Sequence, residues 1–560
     1  MSVFIGYPSF MAYQMMKGKK GNNAGFPSIP GMIARYSALG LTNEQMAANP
    51  VWVDKMGNGH DLQLKNFSWN GMSGVNGYVQ NFNNFKNNAT VDKVRIDEQN
   101  SNSIKVAILN TKINNAIYIP KNIYQFNKSY FIKISSEGYD EGDMALSFYA
   151  TSTSTATTVT VSLNPNGVTE IPAIKEDDFL AVYIKVSGKV GSFTVEQLPL
   201  YPGALVFDGV DDYGVCENFP ILTKEKGYTV VALRQWISTG EGIHGLVSNV
   251  KNWFKDGAFI LEYCYIKNSY FNRPVSFGAV GIEDLPHILT YQTSKSYNGV
   301  SIAVGNFIGT DQLYVGKLNN IIGNYTNAAI WELVFLDHDA TEEELTKIKD
   351  YFVKTYPWLF FDQAWTVTGK TNEDEDRATI ANITGNGNDL VLSNFGFAEG
   401  SGYNEEGEYA GYLVTDGVDD RVQDSSFKLN KDWTLVGEWV FLNQKATNAG
   451  ITKPFSFVVY NRTTGLSLFI NSGTSGITIE NVKSIKAICS DGRIYFDDWS
   501  EMLISKDQDI TSSTSVLSIG FNGTAYTQIA FKNLGIYNNQ ILSKDDCIKA
   551  YNYLQTIKAK

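Results

Sequence analysis

The chain has 560 residues and a mass of 62.2 kDa, more than one compact core holds at about 150 residues per domain, so several domains are expected. Aromatic residues reach 13 % and charged residues only 19 %, which supplies enough apolar surface for a large core and excludes intrinsic disorder. With 46 Lys and Arg against 58 Asp and Glu, the net charge of −12 repels phosphate backbones and anionic lipid surfaces, and no nucleic-acid partner is expected.

Residues 1–16 (MSVFIGYPSFMAYQMM) carry no charge and precede Lys17, Lys19 and Lys20. That order is the reverse of a secretory signal, and Gly6 and Pro8 interrupt the apolar run. No segment is apolar over the roughly 20 residues needed to span a bilayer, so no membrane insertion is expected. An apolar arm of this kind docks on something, a partner subunit or the chain's own body. Residues 1–30 are therefore read as a docking arm, with a partner the favoured surface.

Residues 57–67 read GNGHDLQLKNF. The glycines supply backbone positions open to positive φ, and the alternating Leu62 and Leu64 enter a strand. Residues 385–395 repeat the phrase as GNGNDLVLSNF, identical at eight of eleven positions and offset by 328. A second phrase, DGVDD at 208–212, recurs at 416–420 with an offset of only 208. The first copy therefore holds 120 residues that the second lacks. YTVVALRQWI from Tyr228 matches WTLVGEWVFL from Trp433, both reading as buried strands. LVFLDHDATEEELTKIKDYF from Leu333 matches LGIYNNQILSKDDCIKAYNYL from Leu534, each a strand leading into an amphipathic helix. Thr341 with Glu344, and Ser543 with Asp546, have the spacing that starts such a helix.

Four matched blocks in one order imply duplication. The expected organisation is an arm over 1–30, a first module of 31–81 joined to 201–360, an inserted β-sandwich over 82–200, and a second module over 361–560. Between the markers, short Val, Ile, Thr, Tyr and Phe runs alternate with Gly, Asn and Asp turns, so the chain reads as all-β. Within the insert, the uncharged stretch from Tyr149 ends in TVTVSL, whose alternation predicts a strand, and AVYIKVSG from Ala181 predicts another.

The DGVDD phrase has two readings. Asp-Gly is a strong hairpin-turn signal, which makes its carboxylates solvated turn residues. Alternatively Asp208, Asp211 and Asp212, with their counterparts Asp416, Asp419 and Asp420, offer clustered oxygens to a hard cation such as calcium, which takes six to eight such ligands. No other cofactor is expected. Cys216, Cys264, Cys489 and Cys547 stand far apart without CxxC spacing, and read as reduced, buried thiols.

The GNGxDLxL segment followed by an FDGVDD strand and turn resembles the laminin-G-like and concanavalin A-like jelly-roll superfamily. The resemblance implies two tandem sandwiches of stacked antiparallel sheets, with contacts made by end loops or the concave sheet. The tandem order, with a sandwich inserted before YPGALVFDGVDDYGV at Tyr201, is further similar to virion proteins of crAss-like tailed phages of Bacteroides. That implies a head or tail fibre on the virion surface, joined to other virion proteins through residues 1–30, forming a dimer or trimer and binding host glycans.

The superfamily's glycoside hydrolases imply acids alternating along one strand, since only every second residue faces one cleft; no such pattern occurs. Glu373–Asp376 (EDED) places acids consecutively in an expected exposed loop. The four histidines, His60, His244, His287 and His338, form no HExxH, and no GxSxG elbow is present. Gly369-Lys370-Thr371 lacks the upstream glycine of a phosphate loop, where Ala364 stands. No catalytic residue is assigned and no enzyme is expected; a glycan-active hydrolase and a cellular surface lectin are the alternatives. Trp236, Trp253, Trp331, Trp433 and Trp439 sit in strand-like runs and read as core, while Trp52 and Trp69 flank the first turn phrase as weaker binding candidates.

Overall fold

The computed structural model describes residues 25–557 and 559, except 151–155, 239–243, 251–256, 267–268, 275–279, 283–287, 302–306, 320–324, 385–386, 408, 428–429, 443–447, 454–456, 463–464, 471–476, 480–483, 497, 504–514 and 522–525. The chain forms two compact units, one taking the described residues up to Gly77 with Gly203–Thr355, the other Tyr78–Pro202 with the chain from Tyr356 onwards. The fold is all-β, built from antiparallel sheets stacked as sandwiches.

In the first unit one sheet runs Val300–Ser301, Ser296–Tyr297, Leu289–Thr293, Thr229–Ser238, Asn327–Leu336, Leu205–Asp208, Gly74–Val75, with Met32–Ser37 also pairing with Asn327–Leu336. The facing sheet runs Val51–Trp52, Leu62–Lys65, Tyr213–Cys216, Leu313–Val315, His244–Val250, Gly257–Ile266, Ser269–Pro274, Val280–Ile282. Leu62 and Leu64 from one sheet and Phe207, Val230, Ile330 and Phe335 from the other share one core. The second unit contains a sandwich of the same design. Its sheets run Glu501–Leu503, Arg493–Phe496, Ser484–Cys489, Trp433–Phe441, Ile529–Asn538, Leu413–Val414, Gly402–Tyr403, with Gln363–Thr366 on Ile529–Asn538, and Thr379–Ile380, Leu390–Ser393, Arg421–Phe427, Ser515–Ile519, Asn448–Lys453, Phe457–Arg462, Gly465–Ile470, Ile477–Ile479. Taken in chain order, every strand of one sandwich occupies the same place in the other.

The extra segment enters between Gly74–Val75 and Leu205–Asp208, which are paired neighbours. In the second copy the corresponding pair, Gly402–Tyr403 and Leu413–Val414, is joined by a short connection. A hairpin mouth holds its two ends together, so it accepts an inserted domain without disturbing the sheet. The insert has two five-stranded sheets: Val159–Leu163, Met144–Tyr149, Ala181–Val186, Asn115–Pro120, Lys86–Asn87, and Val168–Ile171, Tyr130–Glu137, Gly191–Gln197, Ser103–Ile108, Val94–Gln99. Ile104, Val106, Ile117, Phe148, Ile184 and Phe193 belong to the core they enclose. Val159–Leu163, read from TVTVSL, is an edge strand that among the described residues pairs only with Met144–Tyr149.

Three α-helices occur among the described residues: α1 (Asn43–Ala48), α2 (Glu342–Thr355) and α3 (Lys544–Gln555). Thr341 and Glu344 form the expected reciprocal cap of α2, backbone N–H to side-chain oxygen at 2.9 and 3.3 Å. Ser543 caps α3 by accepting from Asp546 N at 3.1 Å. In the first unit Arg35 pairs with Glu332 at 2.9 Å, donates to Tyr351 of α2 at 2.8 Å, and lies 4.3 Å from the centre of the Phe26 ring. Phe26 and Ile29, at the end of the expected docking arm, are therefore buried in this unit; residues 1–24 of that arm lie outside the described residues.

In the second unit the insert rests on the second sandwich. Phe131 meets Tyr551 of α3 edge to face at 5.4 Å. Beneath them Glu438 accepts from Tyr412 at 2.7 Å and Lys486 at 3.3 Å, with Lys532 at 3.9 Å. Burial raises the Glu438 carboxyl, but the two ammonium groups outweigh it and hold it down to about 2. Glu170 of the insert is pushed up by burial and by Glu438, against the opposing pull of Lys532 and Lys486.

The strands Leu62–Lys65 and Leu390–Ser393 share a buried–exposed alternation. Leu64→Ala and Leu392→Ala are each expected to cost about 2–5 kcal/mol in urea unfolding, whereas Gln63→Ala and Val391→Ala stay within about 0.5 kcal/mol. Equal losses from inward and outward positions would contradict this placement.

Candidate functional site: an acidic corner built twice

The strand Leu205–Asp208 leaves its sheet through Gly209, whose φ of +79° is open to glycine, and where a Cβ would lie 2.8 Å from that of Asn327. Asp208 Oδ1 then accepts from Val210 N at 2.8 Å and Asp211 N at 3.4 Å, closing the turn. Asp212 is fully buried. Its Oδ2 accepts from Asp208 N at 3.1 Å and its Oδ1 from the Ser73 hydroxyl at 3.0 Å. Ser73 Oγ in turn accepts from Ser68 N at 2.8 Å, and Asn66, in the left-handed region at φ +68°, donates to the Asp211 carbonyl at 3.0 Å.

The second copy repeats each bond. Asp416 Oδ1 accepts from Val418 N at 2.7 Å and Asp419 N at 3.2 Å; Asp420 accepts from Asp416 N at 2.8 Å and Ser401 at 3.1 Å. Gly396 N donates to Ser401 Oγ at 2.8 Å, and Asn394, at φ +69°, donates to the Asp419 carbonyl at 3.0 Å. The Asn-Phe end of the glycine phrase and the DGVDD phrase are thus two halves of one interlocked corner. The start of the glycine phrase has its own anchor: Asp61 accepts from Asp54 N at 2.8 Å, and Asp389 from Asn382 N at 2.7 Å.

In each copy the three acids bring oxygens within 4.8 Å of one another, and no other such His, Cys, Asp or Glu group occurs among the described residues. Oxygens sharing one calcium at about 2.3–2.6 Å stand at most about 4.6–5.2 Å apart, so the spacing fits a cation. The inner oxygens, however, already close the turn, which leaves Asp211 and Asp419, exposed at the rim, as the freest donors. Burial, then the neighbouring Asp208 charge, pushes the Asp212 carboxyl up to about 7; burial takes Asp420 up to about 6. At the apex of each corner an apolar side chain faces solvent, Val210 at 72 % exposure and Val418 at 69 %.

The remaining sequence candidates do not converge on a site. Trp52, a weak binding candidate by its place beside the turn phrase, is instead buried against Tyr36 and belongs to the core. Trp69 is half-buried and stacks on Phe67 at 4.8 Å. Trp236, Trp331, Trp433 and Trp439 are buried as expected, while Trp253 and His287 lie outside the described residues. His338 bonds Asp337 and Glu344 near the start of α2. Within the EDED loop Asp374 accepts from Thr371 N at 2.9 Å, and Asp376 pairs with Lys370 at 2.6 Å. Cys216, Cys489 and Cys547 are free and buried; the Cys264 side chain lies outside the described residues.

No protein-family model and no curated protein matches the chain. Among solved structures it is similar to the receptor binding domain of botulinum neurotoxin D, at 11 % identity over 61 % of this chain and 89 % of that one, with a TM-score of 0.26. It is also similar to Trypanosoma rangeli sialidase in complex with sialic acid, at 9 % identity over 82 % and 83 %, TM-score 0.25. Against the same sialidase with the inhibitor DANA the identity is 8 %, the chain spans 60 % of that protein's length, and the TM-score is 0.20. Likenesses this distant assign no activity or ligand to this chain.

The raised carboxyls of Asp212 and Asp420 fix a pH dependence. Unfolded, both titrate near 3.8; folded, near 7 and 6. The folded form binds these protons more tightly, so their contribution is complete below about pH 4 and is lost as pH rises through 6 to 7. In Asp212→Asn/Asp420→Asn the fall in Tm across that window is expected to become shallower, measured by thermal unfolding at stepped pH. An unchanged slope would contradict this account of the corner.

Proposed function

We propose that this chain is a non-enzymatic structural and adhesive protein of a virion surface, a head or tail fibre of the tailed-phage type its sequence resembles, which presents paired lectin-like sandwiches to host glycans. One observation carries the reading. The two sandwiches share one strand order and build the same corner, each raising an exposed valine at its apex. A display element made twice in one chain suits multivalent attachment, where linked weak contacts gain avidity without new chemistry. The acids of the corner serve the loop in this reading, with calcium at Asp211 and Asp419 as an added brace. Assembly as a dimer or trimer multiplies the same valency.

Attachment to the particle is assigned to the apolar segment before Phe26. Removal of residues 1–24 leaves Phe26 and Ile29 in place, so the shortened chain is expected to keep the wild-type Tm and its binding on a glycan array, while losing incorporation into particles. Incorporation at the wild-type level, or turnover of capsular polysaccharide by the purified full chain, would contradict the proposal.

A further inference from the structure

The second unit holds a cleft of about 470 Å³ where the insert meets the second sandwich, within the range of about 300–1,000 Å³ typical of small-molecule sites. One wall comes from the insert through Val168, Leu198 and Pro199, the other from the Asp498–Ser500 turn and from Ile548 and Asn552 of α3. It lies where the inserted sandwich rests on the duplicated one.

Two features of its lining call for a ligand. Asn552 is 3 % exposed, and its Oδ1 is buried with no hydrogen-bond partner among the described residues. A buried acceptor left unpaired is destabilising, and this one belongs to a residue that lines the cleft, where a bound donor can satisfy it. Beside it Trp499 holds a left-handed φ of +61°, costly for a bulky residue, with its ring fixed 5.5 Å from that of Tyr551. Strain and an unmet acceptor lie side by side on one cleft.

The remaining lining selects the class of ligand. Lys133, Lys544 and Lys549 stand around the same opening as Asp498 and Asp545, with Lys549 held by Asp546 at 3.1 Å, and this mixture of signs disfavours a strongly charged ligand of either sign. The aliphatic walls require an apolar face, and Asn552 requires a hydroxyl or amide donor on its edge. A pyranose ring meets both needs, with C–H faces on the walls and hydroxyls toward the polar groups. We propose that this cleft is a binding site for a neutral oligosaccharide of about disaccharide size. The inference rests on the glycan-binding reading above and gives it a location.

The test uses the full chain with N-acetyllactosamine, mannobiose, cellobiose and diacetylchitobiose as probes, read by saturation-transfer NMR and calorimetry. At least one is expected to bind, and Asn552→Leu is expected to weaken it at least about tenfold without lowering Tm, since an orphaned acceptor is removed. Ile548→Trp fills the cleft and is expected to abolish the same binding. Binding unchanged in both variants would overturn the cleft assignment while leaving the glycan reading intact. Glycan-array binding by the full chain with none of the four disaccharides bound would also overturn it, and no binding in either assay would overturn both.

Discussion

The buried hydrogen bond between Ser73 and Asp212, with its twin between Ser401 and Asp420, is the contact on which the architecture turns. In the first copy it joins positions on opposite sides of the inserted sandwich; in the second it closes over a short stretch. A buried carboxylate has to find donors, and each copy supplies them from the same places: the backbone of the first Asp and the hydroxyl of a serine held by its own loop. Because those donors are local to the corner, the chain between them is free to vary in length. The hairpin mouth above the corner is where 120 residues were accommodated.

Much of this plan is legible in the sequence, for identifiable reasons. Turn phrases such as GNGxDLxL and DGVDD survive duplication because glycines at positive φ and acids that close loops have few substitutes. The mismatch between their offsets locates the extra sequence without reference to any fold. The caps of α2 and α3 are local patterns of Thr341–Glu344 and Ser543–Asp546, so spacing alone reveals them.

Other features leave no local trace. That Asn66 reaches the carbonyl of Asp211 is a relation across the insert, and only the three-dimensional sheet brings Leu62–Lys65 beside Tyr213–Cys216. Helix α1 is six residues long with one large buried apolar side chain, Met46, too short for a periodic signal. Trp52 flanks the turn phrase, a position that offers it for binding, but the edge strand Val51–Trp52 turns its ring into the core. The seat of the insert is the least legible part. Phe131, Glu170, Glu438, Lys486 and Tyr551 are scattered along the chain and meet only when the unit is assembled.

One corner has been built twice, and the same contact holds it with and without an insertion. A pair of double-mutant cycles, Ser73→Ala with Asp212→Asn and Ser401→Ala with Asp420→Asn, measures it directly by chemical unfolding. Above about pH 8, where both carboxyls are ionised, coupling energies of about 1.5–3 kcal/mol are expected in both copies, as for a hydrogen bond to a charged group. A coupling near zero across the insert, with a full value in the uninterrupted copy, would contradict it.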